Sequence, residues 1–527
     1  MGENVGQLDG AGGVRLVPSM SRKLHRGADA LVNALAGAGV RRIFTLSGNH
    51  VMPVFDATLD SGIELIHVRH EAAAVHMADA WARITGEAGV ALVTGGPGHA
   101  NAIGALYTAA MAESPVLLLS GHAPLAELGK GAFQEMRQAE MARPVTKGSQ
   151  VSMRSDAVAH DVLEALELAR GGRPGPVHLS LPTDVLESEA PAASATPAPA
   201  AGVPINASFL GDALAKASRP LVLCGAACMT RAGRERMAAL ENASGIPVIG
   251  MESPRGMNDP ALGAFAEVVA EADGVVLLGK RRDFTLKFGN AFAAGCHVVK
   301  VDAQVGALSA LEVMAREAVR HPASEWLAKV RAAIAYRPPA WEAMPTARLL
   351  RSIQPVLDEH RDSVLVCDGG EFGQWAQACL AAPHRVINGV AGSIGAGLPF
   401  AVGARCAVAD APVIAVMGDG TFGFHPAEID TAVRYGLPFV AIVGNDSRWN
   451  AEYQIQLRDY GGERLVGCEL KPTRYDEVAR AFGGFGEHVE SADEVLPAVR
   501  RAIASGLPAV VDVTIEGAAW TGIRRSG

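Results

Sequence analysis

The chain has 527 residues, a net charge of −9 and an aromatic content of only 5%. This length allows about two or three domains with cores of their own. The acidic balance argues against a nucleic-acid partner, and no apolar run reaches membrane-spanning length. Seven cysteines without metal-binding spacing and the lack of a signal-peptide pattern lead us to expect a cytoplasmic protein with reduced thiols.

The first part of the chain alternates helical and strand patterns from about Lys23 onward, after a predicted flexible tail over residues 1–22. Apolar runs predict strands at residues 42–46, 63–67, 89–93, 115–120 and 176–181, and helices at residues 27–38, 72–84 and 101–111. Repeats of this kind favour a parallel, doubly wound α/β sheet. We therefore assign residues 23–188 to a first domain.

Two further sets of strands follow an Ala/Pro/Ser-rich stretch, residues 189–204, which we interpret as a linker. The middle set, in residues 205–338, has predicted strands at 220–224, 246–249, 274–278 and 297–301. The last set occupies residues 339–527. First and last sets are similar in size and pattern, which hints at duplication. The chain is thus predicted to contain three parallel-sheet α/β domains.

The most informative stretch of the last set runs from Val413 to Trp449. Two apolar strands, residues 413–417 and 439–443, end in Gly418-Asp419-Gly420 and in Asn445-Asp446. In an open parallel sheet the carboxyl ends of strands face the ligand crevice. Two acidic side chains there suit Mg²⁺ bound together with phosphate, and the carbonyls of Ser447 and Arg448 add ligands. Gly-Asp-Gly alone could be an ordinary turn.

Candidate residues in the first domain also follow strands. Glu71 comes after the second strand, where it could act in proton transfer or simply favour the start of a helix. Gly95-Gly96-Pro97-Gly98 could hold phosphate at a helix N-terminus, or form a tight turn against a ligand or partner. His50 is the best placed of several histidines because its turn also ends a strand.

A basic cluster, Lys280-Arg281-Arg282, follows a middle-domain strand. It could be a solvated loop, or a clamp for the phosphates of coenzyme A or a flavin dinucleotide. The glycine pattern of dinucleotide-binding proteins is missing, so an NAD-dependent oxidoreductase is poorly supported.

Taken together, these motifs resemble the thiamin-diphosphate-dependent enzymes of the acetolactate synthase, benzaldehyde lyase and 2-hydroxyacyl-CoA lyase group. The resemblance extends from about Lys23 to about Thr514. It rests on the glutamate motif Arg69-His70-Glu71, on the pair Gly418-Asp419-Gly420 and Asn445-Asp446, and on Phe133-Gln134-Glu135. It implies a pyrimidine-binding domain, a central domain and a diphosphate-binding domain, in that order.

The resemblance also implies roles for individual residues. Asp419, Asp446 and Arg448 would bind the metal, and Glu71 would hydrogen-bond the pyrimidine ring and promote the imino tautomer that removes the C2 proton. Ile394 would support the bent cofactor, and Gly392 would accept from its amino group. His50 and Gln134 would face the substrate. The full set of implied cofactor contacts is Glu71, Gly392, Ile394, Gly418, Asp419, Gly420, Thr421, Asp446 and Trp449.

The implied function is a lyase or carboligase that acts on 2-keto acids or 2-hydroxy carbonyl compounds, with a homodimer or homotetramer whose active sites lie between subunits. The alternatives are a 2-hydroxyacyl-CoA lyase or oxalyl-CoA-type decarboxylase, and a non-catalytic cofactor-binding homologue. Asp446 replaces the usual asparagine of the metal motif, so its extra charge should affect ion affinity. The segment from Arg448 to Tyr453 departs from typical acetolactate synthases, and FAD is a further cofactor that the resemblance allows.

Overall fold

The computed structural model describes residues 25–191, 214, 216–301, 306–322 and 324–525. The predicted tail and residues 192–204 of the predicted linker lie outside these described residues. Among the helices that are described, none combines the length and the apolar character needed to cross a lipid bilayer.

The described strands form three parallel sheets, as predicted. The first sheet has the order β2-β1-β3-β4-β6-β5, the second β10-β9-β7-β8, and the third β12-β11-β13-β14-β16-β15. The strands of the first sheet are β1 Arg42–Thr45, β2 Glu64–His67, β3 Gly89–Val93, β4 Val116–His122, β5 Gly148–Val151 and β6 Val177–Pro182. Those of the second are β7 Pro220–Cys224, β8 Val248–Gly250, β9 Gly274–Leu278 and β10 His297–Val301. Those of the third are β11 Val364–Cys367, β12 His384–Ile387, β13 Val413–Gly418, β14 Val440–Asn445, β15 Phe485–Val489 and β16 Ala509–Thr514.

Helices cover the sheets and connect the parallel strands. In the first domain they are Gly27–Gly37, Met52–Thr58, Glu71–Thr85, Pro97–Met111, Gln138–Ala142, Val158–Arg170 and Thr183–Glu187. In the middle domain they are Arg231–Ser244, Phe265–Val269, Ala307–Glu317 and Ser324–Ala335. In the last domain they are Pro345–Asp358, Gly370–Cys379, Gly397–Ala407, Asp419–Phe422, Glu428–Arg434, Asn450–Tyr460, Tyr475–Ala481 and Ala492–Ala504.

The first and third sheets have the same strand order when their strands are numbered from the start of each domain. This agreement supports the duplication suggested by the sequence. Each sheet lies inside one of the three predicted residue ranges, whose outer limits stay predictions. The edge strand β5 was not predicted, because Gly148-Ser-Gln-Val151 is only partly buried and lacks an apolar run.

The first and last domains share one hydrophobic core. Helix Glu71–Thr85 packs on helix Gly397–Ala407, with Val75 and Met77 in the same buried cluster as Phe400. The two helices approach closely because Gly403 lacks a side chain: a Cβ there would lie 2.4 Å from the carbonyl oxygen of Met77. This packing fixes the helix that begins with Glu71 against the last domain of its own chain.

The C-terminal segment folds back over the last domain. The indole of Trp520 packs against Trp341 and Trp375, with ring centroids 5.3 and 5.1 Å away, and its backbone N–H donates to Glu371. A Cβ at Gly517 would lie 2.8 Å from a carboxylate oxygen of Asp446. The segment therefore closes one side of the edge that carries Asp446.

Candidate active site

Asp419 and Asp446 lie at the carboxyl ends of two neighbouring strands. Strands β13 and β14 pair in register up to Gly418 and Gly444, so the two acids follow at the same edge of the sheet. Asp419 is only 2% exposed, and its Oδ2 has no hydrogen-bond partner among the described residues. The sequence prediction that these two acids come together agrees with this register.

The environment of the two acids disfavours their charged forms. Burial, together with the charge of Asp446, raises the pKa of Asp419 to about 7. Burial raises the pKa of Asp446 to about 6, although the positive charge of Arg448 opposes this shift. A divalent cation would favour both carboxylates in their ionised form and supply the missing partner of Asp419. The donor set therefore fits Mg²⁺.

The glycines beside Asp419 serve two different purposes. A Cβ at Gly420 would lie 2.7 Å from the indole of Trp449, so this ring packs directly on the backbone of the turn. A Cβ at Gly418 would meet nothing within 4 Å, which leaves open space in front of the strand end. Thr421 donates its hydroxyl to the carbonyl of Gly418 across 3.0 Å and stiffens the turn. The turn is therefore held in one conformation and leaves free space at the end of strand β13.

The carboxylate of Asp368, which the sequence did not indicate as a site residue, holds the loop that carries Gly392 and Ile394. Asp368, buried after strand β11, accepts hydrogen bonds from the N–H groups of Gly395 and Gly397 at 3.0 and 2.7 Å. Its signal in the sequence is an acid directly after the apolar run Val364–Cys367. The side chain of Ile394 is 36% exposed and rests against Gly369, where a Cβ would be 2.3 Å away. The loop therefore offers an apolar surface.

In the first domain, Glu71 is the first residue of its helix and is only 8% exposed. The amide of Asn101 donates to its Oε2 across 3.0 Å, and a Cβ at Gly98 would lie 3.3 Å from its Oε1. The sequence reading missed Asn101, because the contact joins two helices. The burial supports a functional carboxylate more than a solvated helix start.

His50 and Gln134 lie on either side of the turn from Thr94 to Gly98. His50 Nδ1 is 3.2 Å from the hydroxyl of Thr94, and its ring stacks on Phe133 with centroids 6.1 Å apart. Gln134 has a positive φ of 57°, and its Oε1 is buried without a hydrogen-bond partner among the described residues. Burial lowers the pKa of His50, so its ring is neutral at pH 7.

The glycine turn itself is packed against the chain. A Cβ at Gly96 would lie 2.8 Å from Gln134, and the Gly96 N–H donates to the side chain of Gln138 at 2.8 Å. These contacts favour the tight-turn interpretation of Gly95-Gly96-Pro97-Gly98 over a phosphate cradle. Glu71, His50 and Gln134 all lie against this turn.

The predicted residues thus form two groups on two sheets. Glu71, His50 and Gln134 surround the glycine turn of the first domain, while Asp419, Asp446, Gly392 and Ile394 line the edge of the third sheet. No hydrogen bond joins the named side chains of one group to those of the other within the described ranges. One group has two acids at adjacent strand ends beside an open turn, and the other presents a buried carboxylate.

The fold joins two acids at adjacent strand ends of one parallel sheet with a buried glutamate beside a second sheet of the same strand order. These are features of a cofactor-dependent enzyme. Two family models match this chain: the N-terminal TPP binding domain of thiamine pyrophosphate enzymes over residues 25–141, and their C-terminal TPP binding domain over residues 368–513. The chain belongs to the thiamine pyrophosphate enzymes.

Relatives of two activities match nearly the whole chain. The 2-hydroxyacyl-CoA lyase 2 of Bos taurus is 31% identical, over 93% of this chain and 90% of its own length. The catabolic acetolactate synthase of Raoultella terrigena is 30% identical, over 95% and 96%. An acetolactate synthase large subunit of Mycobacterium tuberculosis is 29% identical, over 94% and 96%. The chain is therefore related both to acetolactate synthases and to 2-hydroxyacyl-CoA lyases.

Proposed function

We propose that this protein is a thiamin-diphosphate- and Mg²⁺-dependent lyase or carboligase that acts on 2-keto acids or 2-hydroxy carbonyl compounds. The observation that carries the proposal is the pair Asp419 and Asp446, a buried and a half-buried acid at adjacent strand ends, with one oxygen of Asp419 left without a partner among the described residues. The related acetolactate synthases and 2-hydroxyacyl-CoA lyases support the class of reaction.

The residues of the third sheet would bind the charged end of the cofactor. Asp419, Asp446 and the carbonyl of Arg448 would hold Mg²⁺, which prefers oxygen ligands and phosphate partners. Gly418 would let the diphosphate approach the backbone, while Gly420 makes room for Trp449, which fixes the turn together with Thr421. Ile394 would support the rings of the cofactor, and the Gly392 carbonyl would accept from its amino group.

When bound, thiamin diphosphate supplies a nucleophilic carbon and an electron sink for cleavage or formation of a bond beside a carbonyl. Glu71 would share a proton with the pyrimidine ring, because it is a buried carboxylate held in place by Asn101. His50, neutral at pH 7, would exchange a proton with the substrate, and Gln134 would orient it with its unpaired side-chain oxygen.

The proposal includes a homodimer or homotetramer with active sites between subunits. Its support is the helix Asn450–Tyr460, which has no buried residue, although Ile455, Leu457 and Tyr460 are apolar and exposed. Apolar surface of this kind suits contact with a second copy. Seven free cysteines support a reducing compartment such as the cytoplasm.

A substrate panel tests the proposal directly. 2-Keto acids, 2-hydroxy ketones and acyl-CoA esters are supplied with thiamin diphosphate and Mg²⁺, while exchange of the cofactor C2 proton is followed by NMR. We expect turnover in the panel, acceleration of exchange over the free cofactor, and loss of both in Glu71→Ala. Glu140→Ala, which removes an exposed glutamate of the same domain, is the control. Exchange no faster than for free cofactor would favour a non-catalytic homologue.

A second candidate is a 2-hydroxyacyl-CoA lyase or an oxalyl-CoA-type decarboxylase. The loop after strand β9 exposes Arg281 and Arg282 together with two aromatic rings, Phe284 and Phe288, of which Phe288 is 72% exposed. Cations and aromatic faces suit the phosphates and base of a coenzyme A ester. Lys280 is not available for this role, because it is buried and donates to Thr285 at 2.6 Å.

One variant distinguishes the two candidate functions. Arg281→Ala/Arg282→Ala should raise KM for acyl-CoA esters but leave turnover of 2-keto acids unchanged if this loop binds coenzyme A. Arg316→Ala removes an exposed arginine elsewhere in the middle domain and serves as the control. Unchanged kinetics with both substrates would remove the coenzyme A proposal.

FAD binding stays a prediction. Two cavities border the middle domain, one of about 410 Å³ at Arg255 and Trp520 and one of about 390 Å³ at Arg234 and Arg337. Both lie within the roughly 300–1,000 Å³ that is usual for ligand pockets.

A further inference from the structure

The helix Glu428–Arg434 of the last domain contacts the turn that precedes Glu71 in the first domain. We call it the clamp helix. Its Glu428 accepts a hydrogen bond from the backbone N–H of Arg69 at 3.1 Å, and Arg434 donates to the carbonyl oxygen of His67 at 2.6 Å. Tyr435, directly after the helix, accepts from the N–H of His67 at 2.9 Å. The last domain thus satisfies three backbone groups of the segment His67–Arg69.

This segment determines where the carboxylate of Glu71 lies. Strand β2 ends at His67, and the helix begins at Glu71, so only three residues separate the sheet from the glutamate. Backbone groups that are kept from water require partners, and here side chains of another domain provide them. A shift of the segment would move the first residue of the helix with it.

Glu428 is the most constrained member of this contact. It is 1% exposed, and its second oxygen accepts from the hydroxyl of Thr431 at 2.7 Å. Both carboxyl oxygens therefore point at fixed donors. Asp430 on the same helix makes a more exposed contact, an ion pair with the side chain of Arg69 at 3.2 Å. Glu428 binds the backbone of Arg69, whereas Asp430 binds its guanidinium.

We propose that Glu428 is a positioning residue for Glu71: by binding the Arg69 backbone it holds the catalytic glutamate at the depth and angle needed to reach the pyrimidine ring. This role rests on the proposed function. In this role the carboxylate of Glu428 binds neither metal nor substrate. It also connects the turn that carries Asp419 to Glu71 of the same chain, since the clamp helix starts only a few residues after helix Asp419–Phe422.

The alternative is that Glu428 only contributes to domain packing. The two measurements below separate these roles, because packing alone would change neither of them. Glu428→Ala removes the acceptor altogether, whereas the amide oxygen of Glu428→Gln can still accept from Arg69 while its NH₂ faces Thr431. Asp430→Asn is the matched control on the same helix, because it removes a charge while its amide oxygen can still accept from Arg69 and Arg434. Tyr435→Phe removes the acceptor of the His67 N–H while retaining the ring.

The first measurement needs no cofactor. Hydrogen–deuterium exchange of the Arg69 amide, resolved at single residues by mass spectrometry, should become about tenfold faster in Glu428→Ala, as expected for the loss of one buried hydrogen bond. It should stay unchanged in Asp430→Asn and nearly unchanged in Glu428→Gln. An unchanged rate in Glu428→Ala would overturn the contact on which the proposal depends.

The second measurement follows the C2 proton of bound thiamin diphosphate. Glu428→Ala should slow its exchange by roughly 10- to 100-fold, the scale expected for a displaced catalytic group, with little change in cofactor affinity. Glu428→Gln should restore most of the rate. Exchange as fast as in the unaltered protein, or equal losses in the alanine and glutamine variants, would overturn the positioning role.

The controls distinguish this role from the proposed function itself. If the unaltered protein does not accelerate C2 exchange, the proposed function fails, and the positioning role fails with it. If the unaltered protein does accelerate it and Glu428→Ala does so equally, only the positioning role fails. Should Glu428→Ala not fold, Tyr435→Phe takes its place: slower exchange supports the proposal, and an unchanged rate overturns it.

Discussion

The side-chain amide of Asn101 donates to the carboxylate of Glu71 across 3.0 Å. Glu71 begins one helix, and Asn101 lies near the start of a neighbouring helix, 30 positions later in the chain. A carboxylate held by an amide keeps its orientation but remains free to share a proton through its other oxygen. This arrangement leads to the first prediction.

Asn101→Ala should lower the rate of C2-proton exchange by about 10- to 150-fold, since a hydrogen bond to a charged group contributes about 1.5–3 kcal/mol. In the background of Glu71→Ala the same substitution should have no further effect, because the partner is gone. The comparison of the single and double variants measures the coupling. Equal effects in both backgrounds would contradict a role through Glu71.

Metal affinity should depend on pH. The pKa of Asp419, about 7, and that of Asp446, about 6, both exceed the usual 3.8 because burial disfavours the charged forms. Protons therefore compete with Mg²⁺, and its affinity should fall as the pH decreases from about 8 to about 5.5. Folding stability of the metal-free protein should change with pH in the opposite direction. The raised pKa values of Asp419 and Asp446 stabilise the folded state below the usual pKa of an aspartate, and this stabilisation is lost as the pH rises toward 7.

Asp446→Asn tests the same pair. It removes a negative charge that raises the pKa of Asp419, so the pH dependence of Mg²⁺ affinity should weaken and shift to lower pH. The affinity itself should decrease, since an amide oxygen binds a hard cation less strongly than a carboxylate does. Calorimetric titration at several pH values measures both effects. A pH dependence equal to that of the unaltered protein would contradict the pairing.

Gly420→Ala and Gly418→Ala should behave differently. The added Cβ at position 420 would be 2.7 Å from the ring of Trp449, which predicts a loss of about 1–3 kcal/mol in the free energy of unfolding. At position 418 the Cβ meets open space, so stability should be retained while cofactor affinity falls. Urea unfolding and cofactor titration separate these results. Equal stability losses would show that Gly418 is not an open position.

Trp520→Ala should release the C-terminal segment. The ring packs on Trp341 and Trp375 but is only half-buried, so we expect a loss of about 2–3 kcal/mol, below the roughly 3–5 kcal/mol of a fully buried tryptophan. Limited proteolysis should then remove the segment, and cofactor affinity should fall because Gly517 no longer covers Asp446. Thr521→Ala, at an exposed neighbour, should resist proteolysis as the unaltered protein does.

The sequence predicts the elements of this fold better than it predicts their contacts. Strands β13 and β14 overlap the two apolar runs that predict them, and an acid follows each run within three residues, at the same edge of the sheet. The helix from Glu71 begins one residue before its predicted start, because His70 caps it by accepting from the N–H of Ala72.

Contacts between distant segments could not be predicted in this way. Glu428 and Arg69 are 359 positions apart, and nothing local distinguishes Glu428 from an ordinary acid at a helix start. Asp368 acts on the loop after strand β12, and its own neighbourhood shows only that it ends a strand. Such roles depend on how two domains pack, which no local pattern encodes.

The shared strand order of the first and third sheets has a consequence for how this protein could have diversified. In the proposed function the two sheets of one architecture take different tasks: one would bind a metal and a charged group, and the other would present a buried proton-sharing acid. The specialised residues lie in the loops after the strands, whereas the strands preserve the scaffold. The clamp helix joins the segment after strand β13 to the segment after strand β2, so changes near these two strands are coupled, whereas loops outside this contact can vary independently.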